Sequence, residues 1–137
     1  MKDSAISSCI RIAKSNLKKH PIYLFHGCNS YIHYSFVFQG KLIEWGTNRN
    51  GNPPIHFGYN ERIEGANAKI HSEFDAWKKA RGLLRSDKSF ECFNVRLNRR
   101  GEIRLSMPCK CCYSFLKNLG CKRFYFTTNF GIGSIVC

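Results

Sequence analysis

Apolar positions along this 137-residue chain recur with two periods, one typical of helices and the other of strands. The helical period comes first, in residues 4–19. Its apolar stripe consists of Ile6, Ile10, Ala13 and Leu17, at spacings of four, three and four. We expect this helix to end at His20-Pro21, because the residue before a proline disfavours helical backbone. Residues 31–38 and 41–45, rich in aromatic and β-branched residues around Gln39-Gly40, predict two strands joined by a turn.

The second half of the chain predicts two further helices and three or more strands. A helix is expected over residues 67–84, with Ile70, Phe74, Trp77 and Leu84 on its buried face. Alternation predicts a strand over residues 90–98, followed by a short extended piece at 102–106. A helix over residues 109–119 should turn Cys112, Phe115, Leu116 and Leu119 inward, with Gly120 ending it. Residues 123–128 predict a strand, 129–133 a turn, and 134–136 a short antiparallel return.

Composition indicates one packed domain over residues 1–137. Hydrophobic residues make up 43% of the chain and aromatic residues 14%, and no linker or repeat divides it. No apolar run is long enough to span a membrane, so no membrane partner is expected. Eight cysteines without a secretory signal predict reduced thiols, in the cytoplasm or another reducing intracellular compartment.

Two short motifs contain the residue types of a catalytic metal site. Pro108-Cys109-Lys110-Cys111-Cys112 offers two thiolates three positions apart, and His71-Ser72-Glu73 offers an imidazole and a carboxylate. His71, Cys109 and Cys112 would hold Zn²⁺ with three ligands and leave the fourth position for a water. Residues two apart on a regular helix point about 200° away from each other, so we expect His71 at the start of a helix and Glu73 in its first turn. Pro108 fits the start of a second helix.

A structural zinc site is the alternative interpretation of the same residues. Cys111 could add a third thiolate to His71, Cys109 and Cys112 and close the site. Adjacent cysteines rarely bind one ion together, and a structural site has no use for Glu73. The pattern therefore favours the open, catalytic site, with Cys111 as a small apolar residue.

The H-x-E and P-C-x-x-C motifs resemble those of the cytidine deaminase-like superfamily of zinc-dependent nucleobase deaminases. The resemblance covers about residues 31–136. It implies a three-layer α/β/α sandwich with a central mixed β-sheet and a catalytic role for Glu73 as the proton carrier. It also implies a substrate contact for Asn48, at the end of the second strand, where an asparagine of an ordinary turn is the alternative. The short segment 129–133 resembles the branch with an antiparallel terminal hairpin, although free cytidine deaminases usually have Cys where His71 stands.

The charge balance predicts a polyanionic substrate. Lysine and arginine number 22 against nine acidic residues, a formal charge of +13, which supplies affinity for phosphates. We expect cytosine deamination in single-stranded DNA or RNA. The substrate-binding candidates are Phe57 and Tyr59, as stacking platforms for a base, and Arg99, Arg100 and Arg104, as phosphate contacts. For these residues the alternatives are that the two aromatic residues form a hydrophobic plug without a ligand and that the arginines only keep a basic surface soluble. The alternatives are deamination of free cytidine or deoxycytidine nucleotides, of adenosine in nucleic acid, or a zinc-stabilised nucleic-acid-binding protein without catalysis. The sequence leaves the oligomeric state open.

Overall fold

A mixed β-sheet with helices on both faces makes up the computed structural model, which describes residues 1–19, 31–50 and 69–137. The helices are α1 (Asp3–Leu17), α2 (Ser72–Ala80) and α3 (Lys110–Asn118). The strands are β1 (Tyr31–Gln39), β2 (Lys41–Thr47), β3 (Arg49–Asn50), β4 (Lys69–Ile70), β5 (Phe90–Asn98), β6 (Ile103–Arg104), β7 (Cys121–Thr128) and β8 (Gly131–Val136). None of the helices in these ranges is both long and apolar enough to cross a bilayer.

The main sheet has the order β2-β1-β5-β7-β8, and β6 pairs with the end of β5. All neighbours are antiparallel except β5 and β7, which run parallel because α3 connects them. β7 and β8 form an antiparallel hairpin around Asn129-Phe130. The expected terminal hairpin is thus confirmed, and its second strand begins at Gly131, three residues before the predicted start.

The two faces of the sheet bury two separate apolar clusters. On β1 and β5 the side chains alternate, so Tyr34, Phe36, Phe93 and Val95 pack against the α1 side. Val37 and Cys92 point to the opposite face, where α2 and α3 contribute Phe74, Trp77, Phe115 and Leu116. The three-layer α/β/α architecture expected from the sequence is confirmed.

The extents predicted for helices α2 and α3 are wrong. α2 begins at Ser72 rather than near residue 67, because Lys69–Ile70 forms strand β4 and His71 adopts extended backbone as the helix N-cap. α3 ends at Asn118, so the following Leu119 has non-helical backbone and is 41% exposed instead of facing inward. In both cases the boundary of the helix depends on capping at its end rather than on the spacing of apolar residues.

Helix α2 lies directly on strand β2 through the buried side chain of Asp75. Its carboxylate accepts a hydrogen bond from the Thr47 backbone N–H at 3.1 Å and pairs with Arg49 and Lys79, each at 3.2 Å. Gly46 permits this approach. A Cβ at that residue would lie 2.5 Å from the Ala76 nitrogen and 2.6 Å from the Asp75 carboxylate.

Replacing Gly46 by alanine should therefore destabilise the fold. The added methyl group meets backbone and cannot be accommodated by a rotamer change, so we expect a loss of about 2 kcal/mol or more in the free energy of unfolding, measured in urea. Gly82→Ala is the matched control, because a Cβ there has no atom within 4 Å. It should be neutral or stabilise by up to about 1 kcal/mol. Equal stability of the two variants would contradict the close approach of α2 and β2.

Candidate metal centre and active site

The N-termini of helices α2 and α3 meet on one face of the sheet and bring three ligand side chains together. His71 is the N-cap of α2 and Cys109 is the N-cap of α3, both with extended backbone. The Cys109 sulfur accepts a hydrogen bond from the Cys112 backbone N–H at 3.4 Å. This capping bond explains the spacing of the two cysteines, since it holds both sulfurs on the first turn, where the helix dipole stabilises thiolates.

The distances between these ligand atoms fit a tetrahedral zinc ion. The His71 Nδ1 atom lies 3.6 Å from the Cys109 sulfur and 3.4 Å from the Cys112 sulfur. Zinc bonds of about 2.0–2.1 Å to nitrogen and about 2.3 Å to sulfur, at tetrahedral angles, place such atoms about 3.6 Å apart. One imidazole and two thiolates also match the donors that zinc prefers. The residues present fit the metal.

Cys111 does not join this cluster. Within the described ranges, His71, Cys109 and Cys112 form the one group of three or more such side chains whose ligand atoms all lie within 4.8 Å of one another. Cys111 instead is half-buried and packs against the apolar cluster of α2 and α3. The arrangement therefore favours three protein ligands and an open fourth position over a closed site.

Glu73 lies in the first turn of α2, buried beside the ligand cluster but outside it. Its side chain is only 7% exposed, and its two carboxyl oxygens have separate partners. Ser72 Oγ donates to Oε1 at 3.1 Å, and Asn94 Nδ2 donates to Oε2 at 3.2 Å. Burial raises the pKa of the Glu73 carboxyl above its ordinary value, opposed by hydrogen bonds and by the neighbouring His71. A carboxyl whose pKa is raised in this way accepts a proton more readily than an exposed glutamate does.

The hydroxyl groups around Glu73 can serve both of its protonation states. Ser35 Oγ lies 2.8 Å from Ser72 Oγ and 2.7 Å from Asn94 Oδ1. When Glu73 is ionised, the single proton of Ser72 points to the carboxylate and that of Ser35 points to Asn94, so no proton lies between the two hydroxyls. When Glu73 is protonated, it can donate to Ser72, which donates to Ser35, which donates to Asn94. Ser72 and Asn94 thus contact the carboxyl in both states, but the contact between the two serines has a proton only when Glu73 is protonated.

Asn94 is fixed in turn by Ser106, which fills the gap where β5 separates from β7. Asn94 Nδ2 donates to the Ser106 carbonyl at 3.2 Å, and Ser106 Oγ donates to the Asn94 carbonyl at 2.7 Å. The Thr127 N–H donates to Ser106 Oγ at 2.8 Å. Ser106 also immediately precedes Met107-Pro108-Cys109, so the same contacts position Glu73 and the start of α3.

The predicted substrate-binding residues fall in different places. Asn48 follows β2, where its Oδ1 accepts from the His33 N–H at 3.0 Å, and its contact with substrate stays a prediction. Arg104 lies on β6 opposite Arg96 of β5. Arg99 and Arg100 occupy the exposed turn after β5, at least five residues beyond Asn94, which is about 16 Å along a strand. Phe57 and Tyr59 lie outside the described residues.

Sequence reasoning missed the polar residues that support Glu73. Ser35, Ser72, Asn94 and Ser106 are all buried. Ser35 and Asn94 are inward-facing polar residues within strands that are otherwise mostly apolar. A buried polar group requires a partner, so this interruption of the pattern was the signal that could have found them.

No family model and no curated protein sequence matches this chain. Among solved structures, the apo dCMP deaminase of cyanophage S-TIM5 matches with a TM-score of 0.56 and 17% identity, over 93% of this chain and 86% of that chain. The cytidine deaminase of Mycobacterium leprae matches with a TM-score of 0.56 and 14% identity, over 93% and 91%. The cyanophage enzyme in complex with dCMP and dUMP gives a TM-score of 0.53 and 17% identity, over 92% and 82%. The chain has the cytidine deaminase-like fold.

The metal content of cysteine variants tests the three-ligand site. We expect about one zinc per chain in the purified protein, measured by mass spectrometry of the metal. Cys112→Ser should lose most of it, because a ligand is removed. Cys111→Ser is the matched control and should retain it. Equal loss from the two variants would favour the closed structural site.

Proposed function

We propose that the protein is a zinc-dependent hydrolytic deaminase that converts cytosine to uracil in single-stranded or unpaired nucleic acid. The observation that supports this most directly is the buried Glu73 carboxyl beside the open cluster of His71, Cys109 and Cys112. A structural metal site would need no such carboxyl. The cytidine deaminase-like fold of the chain is consistent with the proposal.

Hydrolytic deamination adds water to the C4 carbon of cytosine and releases ammonia. Zinc held by His71, Cys109 and Cys112 would supply a Lewis acid that lowers the pKa of a water in the site towards about 7. The work of this chain's own residues is to move the proton. Glu73 accepts the first proton from the attacking water and passes it to the ring nitrogen N3. It then takes the second proton from the hydroxyl group now on C4 and passes it to the departing amine, which leaves as ammonia. Asn94 and Ser72 hold the two carboxyl oxygens throughout.

A nucleic-acid substrate is supported by the distribution of basic residues. The formal charge of +13 exceeds what a neutral nucleoside requires. Arg99 and Arg100 project from a turn about 16 Å along β5 from Asn94, beyond the reach of a single nucleotide at the site. At that distance they would contact a neighbouring part of a strand more readily than a nucleotide bound at the site. Their contribution to binding would therefore be larger for a polymer than for a free nucleotide.

A free deoxycytidine nucleotide is the second candidate substrate. The cyanophage enzyme with the same fold has been solved in complex with dCMP and dUMP. A chain that acts on the free nucleotide needs one phosphate contact and would not use Arg99 or Arg100. The two candidates thus differ in a measurable way.

Replacing Glu73 by glutamine should abolish turnover and leave the protein folded and zinc-loaded. Glutamine can accept from Asn94 and donate to Ser72, so the buried network stays satisfied, but it cannot carry the proton. We expect a loss of at least about 10²–10⁴-fold in the rate of cytosine conversion, measured by mass spectrometry on a single-stranded oligonucleotide and on dCMP. Ordinary turnover by Glu73→Gln would show that this carboxyl is not the proton carrier.

Replacing Arg99 and Arg100 together by glutamine separates the two substrates. Binding of single-stranded oligonucleotides should weaken for all sequences, and the log–log dependence of affinity on salt should flatten by about 0.7 per lost phosphate contact. Deamination of free dCMP should be unchanged, which serves as the internal control. An unchanged salt slope would contradict the polymer assignment.

A further inference from the structure

A row of three basic side chains crosses the sheet next to the candidate active site. His33 of β1 lies opposite Arg96 of β5, and Arg96 lies opposite Arg104 of β6. Directly opposed residues of paired strands point to the same face of a sheet. We call His33, Arg96 and Arg104 the basic row.

The basic row lies on the same face as Glu73. Side chains two positions apart on a strand share a face, so Arg96 points to the side of Asn94, whose amide holds Glu73. The intervening Val95 points to the opposite cluster. The rise along the strand from Asn94 to Arg96 is about 7 Å. This distance is similar to the length of the sugar that separates the base of a nucleotide from its phosphate.

Arg96 is held in position, and no carboxylate of residues 1–19, 31–50 or 69–137 neutralises it. Its guanidinium stacks on the Tyr31 ring, with 3.9 Å from Cζ to the ring centroid, and its Nη1 donates to the Leu105 carbonyl over a long 3.4 Å. Its Nε is buried and hydrogen bonds to no atom of the structure's described part. Within that part no carboxylate pairs with it, whereas Arg104 has an ion pair with Glu102 at 3.4 Å.

Among the described residues this arrangement lacks an acceptor and a negative charge, both of which an anion would supply. A buried N–H without an acceptor costs about 1–3 kcal/mol, and like charges on opposed strand positions repel. Stacking on Tyr31 restricts the guanidinium plane, and an oriented guanidinium can bind two oxygens of one anion with parallel hydrogen bonds. Phosphate oxygens are the acceptors that such an arginine binds best.

We infer that Arg96, supported by Tyr31 and flanked by His33 and Arg104, binds a phosphate of the substrate next to the reacting base. The inference rests on the proposed function, since it places that phosphate one sugar away from Glu73. The phosphate is either the monoester of a free nucleotide or a diester of a strand. The basic row binds the group in both cases.

Direct binding tests the inference without any turnover. The probe is 2-deoxyribose 5-phosphate, with 2-deoxyribose as its phosphate-free counterpart, titrated into the zinc-loaded protein. One arginine Nε–H signal in the nitrogen–proton spectrum, missing from Arg96→Gln and from Arg96→Lys, should shift saturably with the phosphate only. Arg96→Gln should weaken binding by about ten- to hundredfold.

Arg123→Gln is the matched control for charge. Arg123 is also a strand arginine, but it lies on β7 with its guanidinium on Ser134 Oγ. Its replacement should leave phosphate binding within about twofold. Phosphate binding without a shift of the Arg96 signal, no saturable binding at all, or equal weakening by Arg123→Gln would overturn the inference.

Kinetics distinguish the two sources of phosphate. Arg96→Gln should lower kcat/KM about tenfold or more for dCMP if the ligand is a monoester. If the ligand is a diester, the same loss should appear for a trinucleotide with a central cytosine. The loss should vanish when the linkages of that trinucleotide are uncharged methylphosphonates. Deoxycytidine itself should stay within about twofold. An equal loss with deoxycytidine would assign Arg96 a structural role and overturn the inference.

A wild-type protein without deaminase activity would refute the proposed function alone. The binding experiment would still decide whether Arg96 binds the phosphate.

Discussion

The meeting of two helix N-termini on one face of the sheet is the constraint on which the candidate site depends. His71 and Cys109 come from segments 38 positions apart, yet the Nδ1 and sulfur atoms lie 3.6 Å from each other. Each residue is an N-cap, where the backbone is still extended and a side chain can point across the helix end. A shift of either helix by one residue would separate the ligands. The anchors of α2 and α3 therefore matter as much as the ligands themselves.

Those anchors are polar groups buried on an otherwise apolar face. Asp75 ties α2 to β2, and Ser106 ties the segment before α3 to β5 and β7. Asn94 connects the two anchored regions, because it holds Glu73 and is held by Ser106. A buried polar network of this kind stabilises only one arrangement, since any displacement leaves donors or acceptors unpaired. It gives the carboxyl a fixed position relative to the ligand cluster.

The elements and the metal ligands could be predicted from the sequence because each depends on local rules. Strand β5 was predicted with its observed bounds, and H-x-E with P-C-x-x-C identified the cluster through residue type and spacing. The start of α2 and the end of α3 were predicted at the wrong residues, because capping rather than apolar periodicity determines them. The network of Ser35, Asn94 and Ser106 and the placement of Arg96 depend on strand register. Register joins residues that are distant in sequence, and no local pattern specifies it.

The central claim is that His71, Cys109 and Cys112 hold the metal and leave one position for a small oxygen ligand. X-ray absorption at the zinc edge of the purified protein tests it most directly, because sulfur and nitrogen or oxygen neighbours lie at different distances. The account predicts two sulfur atoms at about 2.3 Å and two nitrogen or oxygen atoms at about 2.0–2.1 Å. Three sulfur neighbours would mean that Cys111 closes the site, and would contradict the account.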